Sequence, residues 1–497
     1  MTQNLSTRAR RARPGMILAF ICLGQFMVFI DVSIVNLALP SIQRGLHMPD
    51  ISLNYVVTAY GTVLGGFLLL SGRLADTFGR RRMLRAGLAL FAAASLASGL
   101  ARDGAMLITA RGFQGLGSAM ISTAALSILA STFAEGPERT RALGVWGSLS
   151  GIASIAGVIL GGVLAGGPGW RWIFWINVPI GLAAAALAPR IVPESRTGGP
   201  RQFDLPGAAT LTAGLLLMVF TLGDATSAGW GTARTIGGLA GSAVLLAGFV
   251  VIESRGASPI VPLGLFRLRT MRTANLSAVL VFGTFSAMFF FVSIFMQHVY
   301  GYPAMKAGLA YVPLAVCVAA GAGIASSLIT KITARPVLIT GLVITVAGLV
   351  LLWRAPASGS YPADLLPPFL LTGTGCGMAL VTLQVAAFAG ISSEEAGVAA
   401  GLINTSQETG GALGLAIVAT IAYNGLAARL AAAGQNTVMI KNAQAWAGHR
   451  AFLATACLGF AALLLAMFVM PRGKRPATAS PAPEIPGSST IQAGHAN

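Results

Sequence analysis

Fourteen times along this chain of 497 residues a run of roughly 20 mostly apolar residues recurs, the length a helix needs to cross the hydrocarbon of a bilayer. The runs fall at 16–39, 54–71, 83–101, 105–133, 142–165, 172–189, 204–222, 236–252, 275–297, 309–329, 337–353, 365–388, 399–422 and 451–470, the eighth being the shortest. In lipid every backbone polar group has to be satisfied inside the structure, so segments of this length fold as helices. Only 10% of the residues are charged, where soluble domains carry about 25%, so the chain lacks the polar groups to clothe itself for water. The expected fold class is an all-α membrane protein with 14 transmembrane helices.

The first run follows a basic segment (Arg8, Arg10, Arg11, Arg13), as the core of a signal peptide would. It is too long for that core, it carries Asp31, and it ends at Leu39-Pro40 without a suitable cleavage site, so it reads as a retained first helix.

Orientation follows from the cations. With the N-terminus inside, 23 of the 33 Lys and Arg lie in inner segments and nine in outer ones, three of those nine in the loop 423–450. Within the runs the only Lys or Arg are Arg85, at the inner edge of the third and counted with the inner cations, and Arg111. Both termini are therefore expected on the cytoplasmic face of a bacterial cell (inner) membrane. The same distribution explains the net charge of +18 without a nucleic-acid partner: the cations are spread between apolar runs rather than gathered on a soluble basic domain. Cys22, Cys317, Cys376 and Cys457 stand singly in apolar runs with no metal-binding spacing, as small packing residues do. Trp170, Trp172 and Trp175 cluster at the outer start of the sixth run, where an aromatic belt is expected.

A weak repeat divides the chain. Leu74, Arg81, Met83, Leu84 and Gly87 align with Leu328, Arg335, Val337, Leu338 and Gly341 at a constant offset of 254. Two six-helix pseudo-symmetric bundles with two helices inserted between them produce that register, and parallel halves are a transporter architecture. The expected organisation is a basic cytoplasmic N-terminus at 1–15, a six-helix bundle at 16–189, a linker with two inserted transmembrane helices at 190–274, a second bundle at 275–470 and a disordered cytoplasmic tail at 471–497. The tail is rich in Pro, Ser and Ala, a composition without a core to bury.

Between the second and third runs stands Gly72-Arg73-Leu74-Ala75-Asp76-Thr77-Phe78-Gly79-Arg80-Arg81-Arg82, one carboxylate among cations in a tight turn. A topology signal needs neither the Asp nor the paired glycines. The loop resembles the signature GxLaDrxGrr of the major facilitator superfamily. Asp31-Val32-Ser33-Ile34-Val35-Asn36-Leu37-Ala38-Leu39-Pro40 is similar to the first-helix signature of that family's fourteen-helix drug:proton antiporter branch, in which Thr is more usual at position 33. Arg111-Gly112-Phe113-Gln114-Gly115-Leu116-Gly117 and the stretch from Trp170 to Gly181 resemble the same branch. The likeness runs from about residue 16 to 470. It implies that Gly72, Asp76, Gly79, Arg80 and Arg81 form a gate latch that stabilises one face of an access cycle.

Depth adds to this. Asp31 lies eight residues from the outer end of its run and Arg111 six from the outer end of its own, roughly 12 Å and 9 Å at the helical rise. Opposite charges at nearly equal depth are each costly in hydrocarbon and should face inward. Pairing with each other and lining a watery cavity separately are both open. Glu408 stands near the midplane of the thirteenth run, where desolvation disfavours a charged carboxyl. That suits a proton carrier, and a structural acid bonded to a neighbouring helix is the rival reading. The resemblance does not assign Glu408. The fifth run departs from the antiporter pattern GxxxGPxxGG, with Ala153 for the first glycine and Val158 for the proline. Its remaining glycines still permit close helix approach.

Phe282, Phe285 and Phe289 share a face of the ninth run, as a cavity wall or as packing. The expected site is thus Asp31, Glu408 and Arg111 for proton coupling, with Asn36, Gln114, Phe285, Phe289, Gln384 and Asn404 lining a substrate cavity. His47, His298, His449 and His495 fall in loops or the tail and are assigned nothing. The function the resemblance implies is export of small organic molecules by proton antiport, with import or uniport on the same scaffold as the alternative. No HExxH, nucleophile elbow or GxxxxGK[ST] loop occurs, which argues against an enzyme or an ATP-driven pump. Expected partners are a small-molecule substrate, protons and the bilayer, with no cofactor beyond the proton gradient, no metal and a monomeric state.

Overall fold

A computed structural model of the chain describes residues 14–48, 50–195, 204–255, 263–392 and 395–471. The tail expected to be disordered lies almost wholly outside the described residues. Within them helix is the only regular secondary structure. The long helices are α1 (Pro14–Leu46), α2 (Asp50–Phe78), α3 (Arg80–Gly99), α4 (Gly104–Thr132), α5 (Pro137–Gly166), α6 (Trp172–Trp175 continued by Asn177–Ile191), α7 (Leu205–Ala228) and α8 (Ala233–Arg255). Then come α9 (Arg269–Ile294), α10 (Val312–Ile329, preceded by Ala304–Ala310), α11 (Ala334–Trp353), α12 (Leu366–Ala387), α13 (Ala396–Tyr423) and α14 (Thr437–Phe468). Twelve of them are long and apolar enough by themselves to cross a membrane. The other two, α3 and α5, carry arginines in their first turns and complete the fourteen by packing between the rest.

Helix boundaries differ from the apolar runs at two outer ends. α1 continues through Pro40 to Leu46. α14 starts at Thr437, capped by Asn436, whose Oδ1 accepts from the amides of Val438 and Met439. Most of the loop expected at 423–450 is therefore helical, and His449 lies inside α14 rather than in a loop. Apolarity ends where the hydrocarbon ends, but backbone hydrogen bonding continues into the polar interface. Of Trp170, Trp172 and Trp175 only Trp172 is exposed as a belt residue; Trp170 is buried against Gly45.

The repeat at offset 254 corresponds to repeated packing. Gly87 of α3 crosses α4 at Gly117, and Gly341 of α11 crosses α12 at Gly375, each glycine facing the other's carbonyl. Arg81 reaches the carbonyls of Pro189 and Val192 at the end of α6. Its counterpart Arg335 reaches that of Met467 at the end of α14. α7 and α8 form a hairpin, joined by a bond from Ser242 to the Gly214 carbonyl of 2.9 Å. α7 lies against both α2 and α13, while α8 exposes Ile236, Val244 and Val250 as a lipid-facing helix does. The halves meet along two seams, α2 with α13 and α5 with α10.

Candidate functional site

Both seams are tight at the end of the molecule that carries the arginine-rich turn. Gly72 of α2 is pressed against the Gly397 carbonyl of α13. In the other seam Ser326 of α10 donates to the Thr140 carbonyl of α5 at 3.1 Å, and Gly144 packs on the Ser326 side chain. Glycines let the backbones approach this closely. At the turn itself, Asp76 is buried and Arg80 donates to its Oδ1 through Nε (3.0 Å) and Nη2 (2.7 Å). The same carboxylate accepts from the amides of Gly397 (3.2 Å) and Val398 (3.1 Å). These are unsatisfied donors of the first turn of α13, where the helix dipole also favours an anion. One carboxylate thus ties the first half to the second.

The glycine that ends α2 is required on two counts. Gly79 has φ +111, and a Cβ there would stand 2.6 Å from Glu194 Oε1. Glu194 also accepts from the Arg81 amide at 3.1 Å and pairs with the Arg81 and Arg82 guanidinium groups. Sequence reasoning missed Glu194, which lies in a linker segment and carries no motif.

The second polar cluster is enclosed within the first half. Asp31 of α1 receives Arg111 of α4 on Oδ2. On Oδ1 it receives the side-chain amides of Gln114 (3.2 Å) and Asn177 (3.1 Å). Gln114 lies three residues after Arg111, so both project from one face of α4. Its amide also donates to Ser95 (2.7 Å), and its carbonyl accepts from Arg111 (3.0 Å) and Ser98 (3.3 Å). Arg111 donates to the Val56 carbonyl at 3.2 Å and lies 4.2 Å above the Tyr60 ring, and the Tyr60 hydroxyl donates to Ser118 at 2.8 Å. Asp31 and Arg111 are each 1% exposed and Gln114 is 0% exposed.

Of the two arrangements left open, the charges adopt the pair. Gln114, expected on a cavity wall, is instead buried inside the network because Asp31, Arg111, Ser95 and Ser98 take up its whole amide. Asn177 was not singled out, although an Asn in the apolar stretch after Trp170 was the signal for it. Asn177→Ala removes one hydrogen bond to a buried charge, worth roughly 1.5–3 kcal/mol. Thermal melts of the purified protein should register the loss, and an unaltered melt would show that the contact contributes nothing to stability.

Glu408 belongs to neither cluster. Its side chain keeps accessible surface in this conformation. It stands where α2, α13 and α7 meet: a Cβ on Gly65 would be 3.7 Å from that of Glu408 and 3.4 Å from Val219. Asn404 is half-buried one turn nearer the latch. Gln384 is 5% exposed and sits in the last turn of α12, at the latched end, with a buried carbonyl oxygen that has no hydrogen-bond partner. The rings of Phe285 and Phe289 meet at 5.5 Å, tilted by 32°, and Phe289 stacks on Tyr311, which stands just ahead of Val312 and in turn stacks on Phe369 of α12. The side chains of Asn36 and Val158 lie outside the described residues. No group of His, Cys, Asp and Glu suited to a metal occurs among the described residues.

The family model described as Major Facilitator Superfamily matches residues 21–415. The chain is 37% identical to the cephamycin export protein of Amycolatopsis lactamdurans, over 84% of this chain and 87% of that one. It is 36% identical to the puromycin resistance protein of Streptomyces alboniger, over 83% of each. Identity to the tetracenomycin C resistance and export protein of Streptomyces glaucescens is 32%, over 83% of this chain and 76% of that protein. The crystal structure of the human organic anion transporter MFSD10 superposes with a TM-score of 0.66 at 16% identity, covering 91% of this chain and 99% of that one. At that identity the likeness is one of fold.

Proposed function

The chain belongs to the major facilitator superfamily, and from that premise we propose that it exports small organic molecules of the antibiotic or natural-product class by proton antiport and alternating access. The observation that carries the reading is likeness along nearly the whole length to proteins named for antibiotic export and resistance. The arginine-rich end is read as cytoplasmic, in a bacterial cell membrane. With Asp76 holding α2 to α13 and α5 packed on α10, the described conformation is the one closed toward the cytoplasm. Substrate release then takes place on the outer side. Return of the empty site requires the latch to open and the halves to rock about the midplane.

The gradient supplies the direction. A proton moving inward down 100 mV contributes about 2.3 kcal/mol before any pH difference. Glu408 is the candidate proton carrier: it is at mid-depth, exposed in this conformation, and placed where α2 of one half meets α13 of the other. Asp31 and Arg111, enclosed in the first half, act on the packing of α1, α4 and α6.

The test is substrate-induced proton release by the purified protein, together with accumulation of a candidate antibiotic in inverted vesicles under an imposed pH gradient. Glu408→Gln keeps the size of the acid and is expected to bind substrate, release no proton and fail to accumulate drug. Proton release at the wild-type level in this variant would remove Glu408 from the mechanism.

A further inference from the structure

The charge distribution contains an exception that export leaves unexplained. Each of the other outer segments holds a single cation, but the stretch between α13 and the body of α14 holds Arg429, Lys441 and Arg450. No carboxylate occurs anywhere between Glu408 and Glu484 to balance them. The fold gathers two of these cations onto one aromatic ring. Arg429, on the short helix Leu426–Ala433, lies 4.1 Å from the centre of Trp446, and Arg450 of α14 lies 4.8 Å from it. Arg450 Nη1 is held by the Asn424 carbonyl at 2.9 Å, which fixes the guanidinium at the rim.

Directly beneath runs a groove of about 480 Å³ between α13 and α14. Its walls are Ile417, Ile421, Leu453, Ala454 and Leu458, with Arg450 at its mouth. The groove opens on the lipid-facing side of α14, where Leu453 and Phe460 are exposed. Two cations with an indole at interface depth, above an apolar slot, match the two ends of one molecule. The cations suit a phosphate and the slot suits an acyl chain.

We propose that this groove is a binding site for an anionic phospholipid, seated with its phosphate between Arg429 and Arg450 and one chain along α13 and α14. Charge complementarity selects this occupant. A zwitterionic lipid brings a phosphate together with a cationic group that the pair repels, so it gains less than an anionic one, and a second copy of this chain offers no matching acidic surface in this stretch. The lipid would brace α13, the helix that carries Glu408 and whose first turn Asp76 holds.

The experiment is native mass spectrometry of the full-length protein titrated with phosphatidylglycerol and, separately, phosphatidylcholine. Wild type is expected to retain one phosphatidylglycerol in preference to phosphatidylcholine. The double variant Arg429→Ala/Arg450→Gln should bind it roughly thirtyfold more weakly, the factor that two basic residues confer at a membrane surface. Arg102→Gln, which removes a cation at the same end of the other half, should leave binding unchanged. Trp446→Phe should remove the part of the tryptophan quenching by brominated phosphatidylglycerol that Trp446 contributes, leaving that of the exposed Trp172 and Trp353, a readout that does not depend on the arginines. Equal binding of the two lipids, equal binding by wild type and the double variant, or displacement of the lipid by inorganic phosphate alone would each overturn the proposal.

Discussion

Asp76→Asn is expected to insert into the membrane normally and to lose transport by two orders of magnitude or more. The carboxylate accepts four hydrogen bonds, two from Arg80 and one each from the amides of Gly397 and Val398. An Asn side chain has no charge and one acceptor oxygen; with that oxygen in place of Oδ1 it turns an NH2 group toward the Val398 amide, and the bonds from Arg80 and Gly397 lose their charged acceptor. Losing the Val398 bond and the charge on the acceptor of the other three costs roughly 3–6 kcal/mol, a factor of roughly 10² to 10⁴ in the ratio of closed to open states at this end. Because the bonds to Gly397 and Val398 cross between halves, the loss falls on that equilibrium more than on folding. Spin labels at the exposed positions Phe78 and Ser392 should report a shift from short to long distances in the variant. Wild-type distances together with wild-type transport would reduce the turn to a topology signal.

Breaking the Asp31–Arg111 pair should have the largest effect on stability. Both side chains are buried, and removing one partner leaves a charge uncompensated, at a cost of roughly 3–5 kcal/mol. Asp31→Asn and Arg111→Gln are each expected to lower the melting temperature strongly and to abolish export. The double variant Asp31→Asn/Arg111→Gln leaves no buried charge, so most of the stability should return while export does not. That non-additivity is the signature of direct coupling. Double-variant stability equal to the sum of the two single losses would show that each charge is held by Gln114, Asn177 and the Val56 carbonyl rather than by its partner. Recovery of export along with stability would show that the pair serves folding alone.

Much of the architecture was legible because lipid imposes a length on each spanning segment and asymmetry on the cations. Fourteen runs became fourteen helices, including α8, the weakest run, whose outward face carries the isoleucine and valines that lipid requires. The offset of 254 aligned Gly87 with Gly341 before any packing was visible, but not their partners Gly117 and Gly375, which stand 258 residues apart. The turn at Asp76 was readable from spacing, since one acid and two glycines among arginines exceed what topology demands. Equal depth of Asp31 and Arg111 followed from counting residues along two helices.

What counting could not reach was the azimuth of each helix and the identity of its neighbours. Depth placed Gln114 beside Arg111 but not inside the network, because whether a polar residue faces a cavity or a neighbouring helix depends on rotation about the helix axis. Asn177 completes the network from a helix 146 residues away from α1. Glu194 completes the turn from 113 residues beyond Arg81, and no local pattern encodes either distance. The extension of α14 to Thr437 was hidden because apolarity tracks the hydrocarbon, while helical hydrogen bonding does not stop there. Residue type and spacing alone determined where the long helices lie and the presence of the turn. Only the tertiary structure decided that Asp76 reaches the first turn of α13, that Asp31 is sealed within one half and that Glu408 stands exposed where the two halves meet, since each depends on which surfaces fourteen packed helices turn toward one another.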